Sequence, residues 1–184
     1  MKTILRVVFR VPAFCIVAWY RLSRAVLGEE RAFQGLAERL AKFSGYAGIY
    51  LRAAVYRRVL ERSSEEVQIG FGTLLSKRTA ILEDHIYVGR YCCLGWVYIE
   101  KDVMLADFVA IPSGGRTHKL SGATRTPPRM MENRFQPVRV GEGTWVGTHA
   151  VILADVGCFC IIGAGAVVTK PIPDGSIAVG VPAR

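Results

Sequence analysis

Residues 138–168 read VRVGEGTWVGTHAVILADVGCFCIIGAGAVV, and an aliphatic residue followed by glycine or another small residue returns along the whole stretch. Val140-Gly141, Val146-Gly147 and Ile152-Leu153 stand six residues apart; after one step of four, Val156-Gly157, Ile162-Gly163 and Val168-Thr169 resume the six. A period of six matches neither the 3.6 of a helix nor the 2 of a plain strand. It matches a parallel β-helix built of hexapeptides, each hexad forming one flat side of a triangular coil and three hexads one turn.

The same rhythm runs upstream. Ile69, Leu75, Ile81, Tyr87, Cys93, Ile99, Leu105 and Ile111 keep an unbroken spacing of six, while Val88-Gly89 and Leu94-Gly95 point to a local shift of one residue. The period is therefore set, and the inward residue of each hexad is left open. The first block, 69–112, offers a little over two coils and the second, 138–168, a little under two. Four thin coils make a small core, and such a solenoid depends on a cap and on self-association.

A chain of 184 residues with 51% hydrophobic composition holds one modest domain with an extension. Its net charge of +9 is unevenly placed: residues 1–62 carry 12 Lys/Arg against 4 Asp/Glu, and the remainder is close to neutral. That basic third reads as helical. Residues 1–27 are strongly apolar but are cut by Arg6, Arg10, Arg21 and Arg24, leaving no apolar run of the roughly 18 residues that a spanning helix needs. The Trp-Tyr-Arg-Leu-Ser-Arg that follows the apolar run is a poor match to a signal cleavage site. We read an interfacial segment, with apolar residues buried in a membrane surface and arginines reaching lipid phosphates; packing of the same surface on the solenoid or on a partner subunit is the alternative. The positive residues are interleaved with apolar ones and form no solvated basic stripe, so no nucleic acid is expected.

Two amphipathic helices follow, Glu30–Phe43 with Phe33, Leu36, Leu40 and Phe43 on one face, and Tyr46–Arg62 with Ile49, Tyr50, Ala53, Tyr56 and Leu60, separated by Ser44-Gly45. They are expected to cover one open end of the solenoid. The division is thus a helical region over 1–66 and a β-helix over 67–184. Cys15, Cys92, Cys93, Cys158 and Cys160 form no CxxC pair and no zinc spacing, and read as small apolar residues in a reducing compartment.

Between the two blocks, residues 112–137 (PSGGRTHKLSGATRTPPRMMENRFQP) lose the period and fill with Gly, Pro, Ser, Thr and Arg. A loop of this length inside a compact domain is uncommon unless it has a function. It is read as an excursion from the β-helix, and it contains His118.

The paired blocks, the looped-out histidine, the run Gly163-Ala164-Gly165-Ala166-Val167-Val168-Thr169-Lys170-Pro171-Ile172-Pro173 and the closing Ala178-Val179-Gly180-Val181-Pro182-Ala183-Arg184 resemble the hexapeptide-repeat acyltransferases. That superfamily includes the galactoside, maltose, serine and polysaccharide O-acetyltransferases. The resemblance covers residues 67–184. It implies a left-handed parallel β-helix, a homotrimer with sites between subunits, acetyl-CoA as co-substrate with no metal, and a saccharide acceptor such as a cell-surface polysaccharide or lipid-linked precursor at the cytoplasmic face of the inner membrane. In the family, coenzyme A contacts the small residue after a Trp-x-Gly element, an alanine in the Gly-Ala-Gly turn, a Thr-Lys pair and a terminal arginine; these match Thr148, Ala164, Thr169, Lys170 and Arg184 here. Many relatives continue beyond this last motif, and a chain ending at Arg184 would lack part of the usual nucleotide site.

The chemistry agrees with those residue types. Moving an acetyl group from a thioester to a hydroxyl needs a base, donors for the tetrahedral oxyanion and a groove that aligns two substrates. No Gly-x-Ser-x-Gly and no cysteine beside a base is present, which favours direct attack. His118, at the place of the family's catalytic histidine and after Ser113-Gly114-Gly115, is the expected general base. His85 reads as a structural histidine at a coil corner and His149 as an outer-surface residue. Lys170 and Arg184 are cations suited to phosphates. The excursion's Arg116, Arg125, Arg129 and Arg134 suit an acidic sugar or a pyrophosphate linker. Three other readings remain open: an N-acyltransferase on an amino sugar, a histidine-zinc hexapeptide enzyme, and a non-catalytic trimeric membrane scaffold. The second is disfavoured by histidines 33 and 31 residues apart, neither a multiple of the coil length.

Overall fold

The computed structural model describes residues 6–114 and 135–184. Among the described residues, the helices α1 (Arg10–Leu27), α2 (Glu29–Ala41) and α3 (Gly45–Val59) precede a solenoid of fifteen short strands. Each strand is two or three residues long and pairs in parallel with its equivalent in the next coil. Three flat faces result. Face A carries β1 (Arg62–Ser63), β4 (Ile81–Leu82), β7 (Val97–Ile99) and β10 (Val138–Val140); face B carries β2 (Gln68–Ile69), β5 (Tyr87–Val88), β8 (Met104–Leu105), β11 (Trp145–Val146), β13 (Ile161–Ile162) and β15 (Ile177–Ala178). Face C carries β3 (Leu74–Leu75), β6 (Cys93–Leu94), β9 (Ala110–Ile111), β12 (Val151–Ile152) and β14 (Val167–Val168). This is the expected parallel β-helix, with about five turns in place of four. The first strand lies at Arg62–Ser63, upstream of residue 67, and the last at Ile177–Ala178, beyond the second repeat block.

The inward residues settle the register. Ile69, Leu75, Leu82, Val88, Leu94, Ile99, Leu105 and Ile111 are all essentially sealed from solvent. In the middle of the first block the core position is therefore Leu82, Val88 and Leu94, not Ile81, Tyr87 and Cys93. One step of seven (Leu75 to Leu82) and one of five (Leu94 to Ile99) cancel, which is why a naive spacing of six appears unbroken. In the second block the step of four is structural. Face A narrows there to single bridges, Val140 to Val156 and Val156 to Ile172, and the coil contracts to the 16 residues that separate Trp145 from its partner Ile161.

Buried threonines tie coils together from inside. Thr73 Oγ1 donates to Gly89 O (2.7 Å) and accepts the Cys92 N–H (3.1 Å), and Thr144 Oγ1 repeats this with Gly157 O (2.8 Å) and Cys160 N–H (3.1 Å). Cys92 and Cys160 are the buried small residues expected, and burial pushes the Cys92 thiol up to about 11. Cys15 and Cys93 are exposed. Two of the three corners turn through left-handed residues: His85, Asp102 and Phe159 on the A/B corner, Tyr91, Phe108 and His149 on the B/C corner, all with φ between 54° and 62°. Side chains at such φ are unfavourable. On the B/C corner the rings stack coil upon coil, Tyr91 on Phe108 at 5.3 Å and Phe108 on His149 at 4.7 Å, which offsets part of that cost.

The helices close the upper end of the solenoid. Gly28 (φ 81°) and Gly45 (φ 66°) supply the turns that a side chain would resist, so α1, α2 and α3 fold back on one another. On α2, Phe33, Leu36 and Leu40 are buried as expected, while Phe43 is exposed. The expected single apolar face on α3 is replaced by burial on nearly every side over residues 51–56, because α3 lies between α1 and the first coil. That position explains Arg52, a charged residue with no exposed surface. Its Nε donates to Ile69 O (2.8 Å) and its Nη1 to Leu40 O (3.0 Å) and Phe43 O (2.6 Å), so one guanidinium joins the end of α2 to strand β2. Burial lowers the Arg52 pKa, yet it stays a cation. Replacing Arg52 with Ala orphans three carbonyls and opens a cavity; we expect a loss of about 3 kcal/mol or more in urea unfolding, with α1–α3 exchanging amide hydrogens faster than the lower coils.

Candidate functional site

The excursion leaves the solenoid after Gly114 and has rejoined it by Phe135, at the corner between faces C and A. Its two ends are pinned together. Ser113, nearly buried, accepts the Trp96 N–H on Oγ (2.9 Å) and the Gln136 N–H on its carbonyl (3.2 Å), and Val138 N–H donates to Trp96 O (3.0 Å). Beside this base lies a cleft of about 440 Å³ lined by Gly114, Gln136, Leu153, Ala154, Asp155 and Thr169 among others. Leu153, Ala154 and Asp155 in its lining belong to the shortened step of the second block.

Strand β10, which carries the returning chain, is held by a charged cluster on face A. Arg139 donates through Nε and Nη2 to both oxygens of Glu100 (2.6 and 2.9 Å), and the Arg139 N–H donates to Asp155 at the cleft (2.8 Å). Partial burial pushes the Glu100 carboxyl up, but the hydrogen bonds from Arg139 and from the Glu142 N–H outweigh it and hold the group below its ordinary range. A depressed folded pKa stabilises the fold above the ordinary value of 4.5, and that stabilisation is lost as pH falls through the folded value.

The five residues matched to donor binding all fall on face C of the lowest coils, at its two ends. Thr148 and Ala164 stack on the B/C corner, where the Gly165 N–H donates to Thr148 O (2.8 Å). Gly147 must be small: a Cβ there would sit 2.6 Å from Ala164 N in the coil below. Thr169 and Lys170 follow β14 at the C/A corner, and Thr169 reaches the cleft. The C-terminal run lies beneath β14, with Val167 N–H donating to Gly180 O and Ala183 N–H to Val167 O, and Arg184 closes it by reciprocal bonds with Val179 (3.1 Å each). Lys170 and Arg184 are exposed and have no ion pair among the described residues.

His118 lies outside the described residues, as do Arg116, Arg125, Arg129 and Arg134. The other two histidines are described. His85 sits at the A/B corner between Glu66 (2.5 Å from Nε2) and Asp102 (3.5 Å from Nδ1), bridging coils as the structural reading expects. His149 is on the outer surface, stacked on Phe108. Glu83 receives Arg62 (2.6 Å) and the Tyr98 hydroxyl (2.8 Å), and Asp84 receives Ser64, so both carboxylates are engaged within their own chain. Among the described residues, no three His, Cys, Asp or Glu side chains converge as a metal set would.

One feature escaped the sequence. Tyr87, Met104, Trp145, Ile161 and Ile177 form an exposed apolar row down face B, one residue per coil. Its signal was present, since each stands immediately before an inward residue, but an apolar pair in a hexad does not say which member faces out.

No protein-family profile matches the chain. Over 50 residues, 26% of its length, it is 46% identical to a galactoside O-acetyltransferase of Escherichia coli K12. It spans about a quarter of that protein's length, 25%. In fold it superposes on a maltose O-acetyltransferase from Clostridium difficile 630 with TM-score 0.72, over 85% of this chain and 84% of that one at 23% identity. Sequence and fold both resemble the hexapeptide-repeat acyltransferases. A galactoside acetyltransferase in complex with coenzyme A shares the fold at TM-score 0.54, 20% identity and 86% and 82% coverage. The chain thus has the left-handed β-helix fold of these solved structures, preceded among the described residues by a three-helix cap.

We expect Glu100→Gln to lower the melting temperature at pH 7 by about 2–4 °C, from loss of roughly 1 kcal/mol of pairing. The difference from wild type should shrink as pH falls below 4.5, where the wild-type carboxyl itself protonates. Calorimetric melts at a series of pH values test both.

Proposed function

We propose that this protein is an acetyl-CoA-dependent O-acetyltransferase that acylates a hydroxyl of a saccharide, with His118 as general base. The observation that carries the proposal is the combination of a local 46% identity to a galactoside O-acetyltransferase with a whole-chain superposition on a maltose O-acetyltransferase. The structural neighbour bound to coenzyme A supports the donor. The acceptor in this reading is a cell-surface polysaccharide or its lipid-linked precursor, met at the cytoplasmic face of the inner membrane.

In this reading each part of that reaction falls to named residues. Coenzyme A lies along face C in this reading. Its pantetheine arm passes Thr148 and Ala164, whose small side chains leave the backbone approachable, and its phosphates meet Lys170 and Arg184. His118 takes the acceptor proton as the hydroxyl attacks the thioester carbonyl, and the thiolate of coenzyme A leaves once the tetrahedral oxyanion collapses.

The apolar row on face B supports a homotrimer. A contiguous apolar strip of this length is uncommon on a monomer, and three copies closing in a ring bury it. The B/C corner borders both that row and the donor residues Thr148 and Ala164, so closure on face B would put the donor groove at a subunit seam.

His118→Ala should lower kcat/KM by a factor of roughly 10² or more while acetyl-CoA binding, followed by isothermal titration calorimetry, stays near wild type. Full turnover in that variant removes the base assignment, and transfer to amines in preference to hydroxyls replaces the O-acetyl reading with the N-acyl one. Trp145→Glu combined with Ile161→Glu should convert a trimer into monomers by multi-angle light scattering; a monomeric wild-type protein overturns the trimer.

A further inference from the structure

No helix among the described residues is long and apolar enough to cross a membrane, yet α1 presents two apolar faces. One is satisfied: Ala13, Val17 and Tyr20 are buried against α2 and α3. The other looks outward. Val11, Phe14, Leu22 and Val26 are between 67% and 77% exposed, and their spacing of three, eight and four places them along one side of the helix. Cationic groups border this face on both edges. Arg21 lies along one edge by helical periodicity, next to Arg10, whose guanidinium is paired with Glu65 (2.9 Å), and on the other edge the Arg39 guanidinium of α2 sits 4.1 Å over the Trp19 ring.

Beneath Arg39 a groove of about 320 Å³ runs between α1 and α2, lined by Ile16, Trp19, Leu36, Leu40 and Phe43 with Cys15 at its edge. Among the described residues, Arg39 is the only charged side chain lining it. Core packing does not explain an apolar face with arginines along both margins and an apolar groove opening beside one of them. A phospholipid surface does, since it offers hydrocarbon to the middle and phosphate to the edges. The basic balance of residues 1–62 acts in the same sense.

We infer that α1 docks on an anionic lipid bilayer, its outward face lying in the headgroup–acyl boundary, and that the α1/α2 groove seats one chain of an anionic lipid whose phosphate meets Arg39. This goes beyond the acetyltransferase reading by naming the docking element and the lipid chemistry. Vesicle binding and acetyl transfer to a soluble saccharide are separate readouts, so either can fail without the other.

The experiment is flotation of the full chain with phosphatidylcholine vesicles, with and without phosphatidylglycerol. Binding to the anionic vesicles alone, weakened by high salt, is the expected result. Phe14→Ser combined with Leu22→Ser should reduce the bound fraction about tenfold or more with an unchanged thermal melt, since both side chains are exposed in the folded protein. A nitrobenzoxadiazole label on Cys15, in a chain carrying Cys93→Ser and Cys158→Ser, should shift to the blue on anionic vesicles, and Arg39→Gln should diminish that shift. No flotation on anionic vesicles overturns the inference, as does equal binding to neutral ones. If the protein stays soluble and light scattering shows an assembly that the Phe14/Leu22 variant loses, a second copy covers this face and the bilayer reading falls.

Discussion

Every strand of the solenoid is two or three residues long, so its backbone N–H and C=O groups find partners only in the coils above and below. No strand forms alone, and an uncovered end leaves a row of unpaired groups. The helical cap answers that constraint at the upper end. Ala41 O accepts the Gly72 N–H, and Arg52 satisfies Ile69 O while holding the end of α2. An arginine is suited to this place because its rigid fork reaches three carbonyls at once; its cost is a cation sealed in the interior, with Nη2 left unpartnered. At the lower end, the C-terminal run folds back under β14 and does the same with backbone alone.

The same stacking sets where chemistry can be placed. Core positions are filled by aliphatic side chains and corners by turns, so functional groups are confined to outward positions and to insertions at corners. The excursion uses the second option. It leaves where face C meets face A, its ends are joined through Ser113, and a cleft lies beside its base. Arg139, paired with Glu100, braces the returning strand through Asp155. The two ends of the loop thus gain a fixed origin on the solenoid. Face B is apolar and continuous, while face C has Thr148 and Ala164 at its B/C corner, Thr169 and Lys170 at its C/A corner, and Arg184 turned back to Val179 on the B/C side.

Much of this was legible in the residues. The six-residue rhythm specifies a parallel β-helix because only that fold returns a side chain to the same face at such an interval, and the step of four near Val156 corresponds to a contracted coil. The two apolar helices and the glycine between them, the buried Cys92 and Cys160, the corner role of His85 and the surface position of His149 followed from local pattern. The five residues matched to donor binding by resemblance alone lie at the two corners that bound face C in the lowest coils.

What local pattern could not decide was direction. Ile81-Leu82, Tyr87-Val88 and Cys93-Leu94 are each a pair of apolar residues, and which member points inward depends on compensating steps elsewhere in the coil. The apolar row on face B was hidden for that reason. Arg52 reads as an ordinary charge on an amphipathic helix until three carbonyls from two other elements converge on it. On α1, apolar residues all round with interspersed arginines were compatible with a membrane surface or with packing; the fold divides them, Ala13, Val17 and Tyr20 inward and Val11, Phe14 and Leu22 outward. The sequence by itself determined the period, and with it the solenoid, because periodicity is a property of neighbours along the chain. The tertiary structure decided which face each residue takes and which charges are buried, because those depend on contacts between coils and helices far apart in sequence.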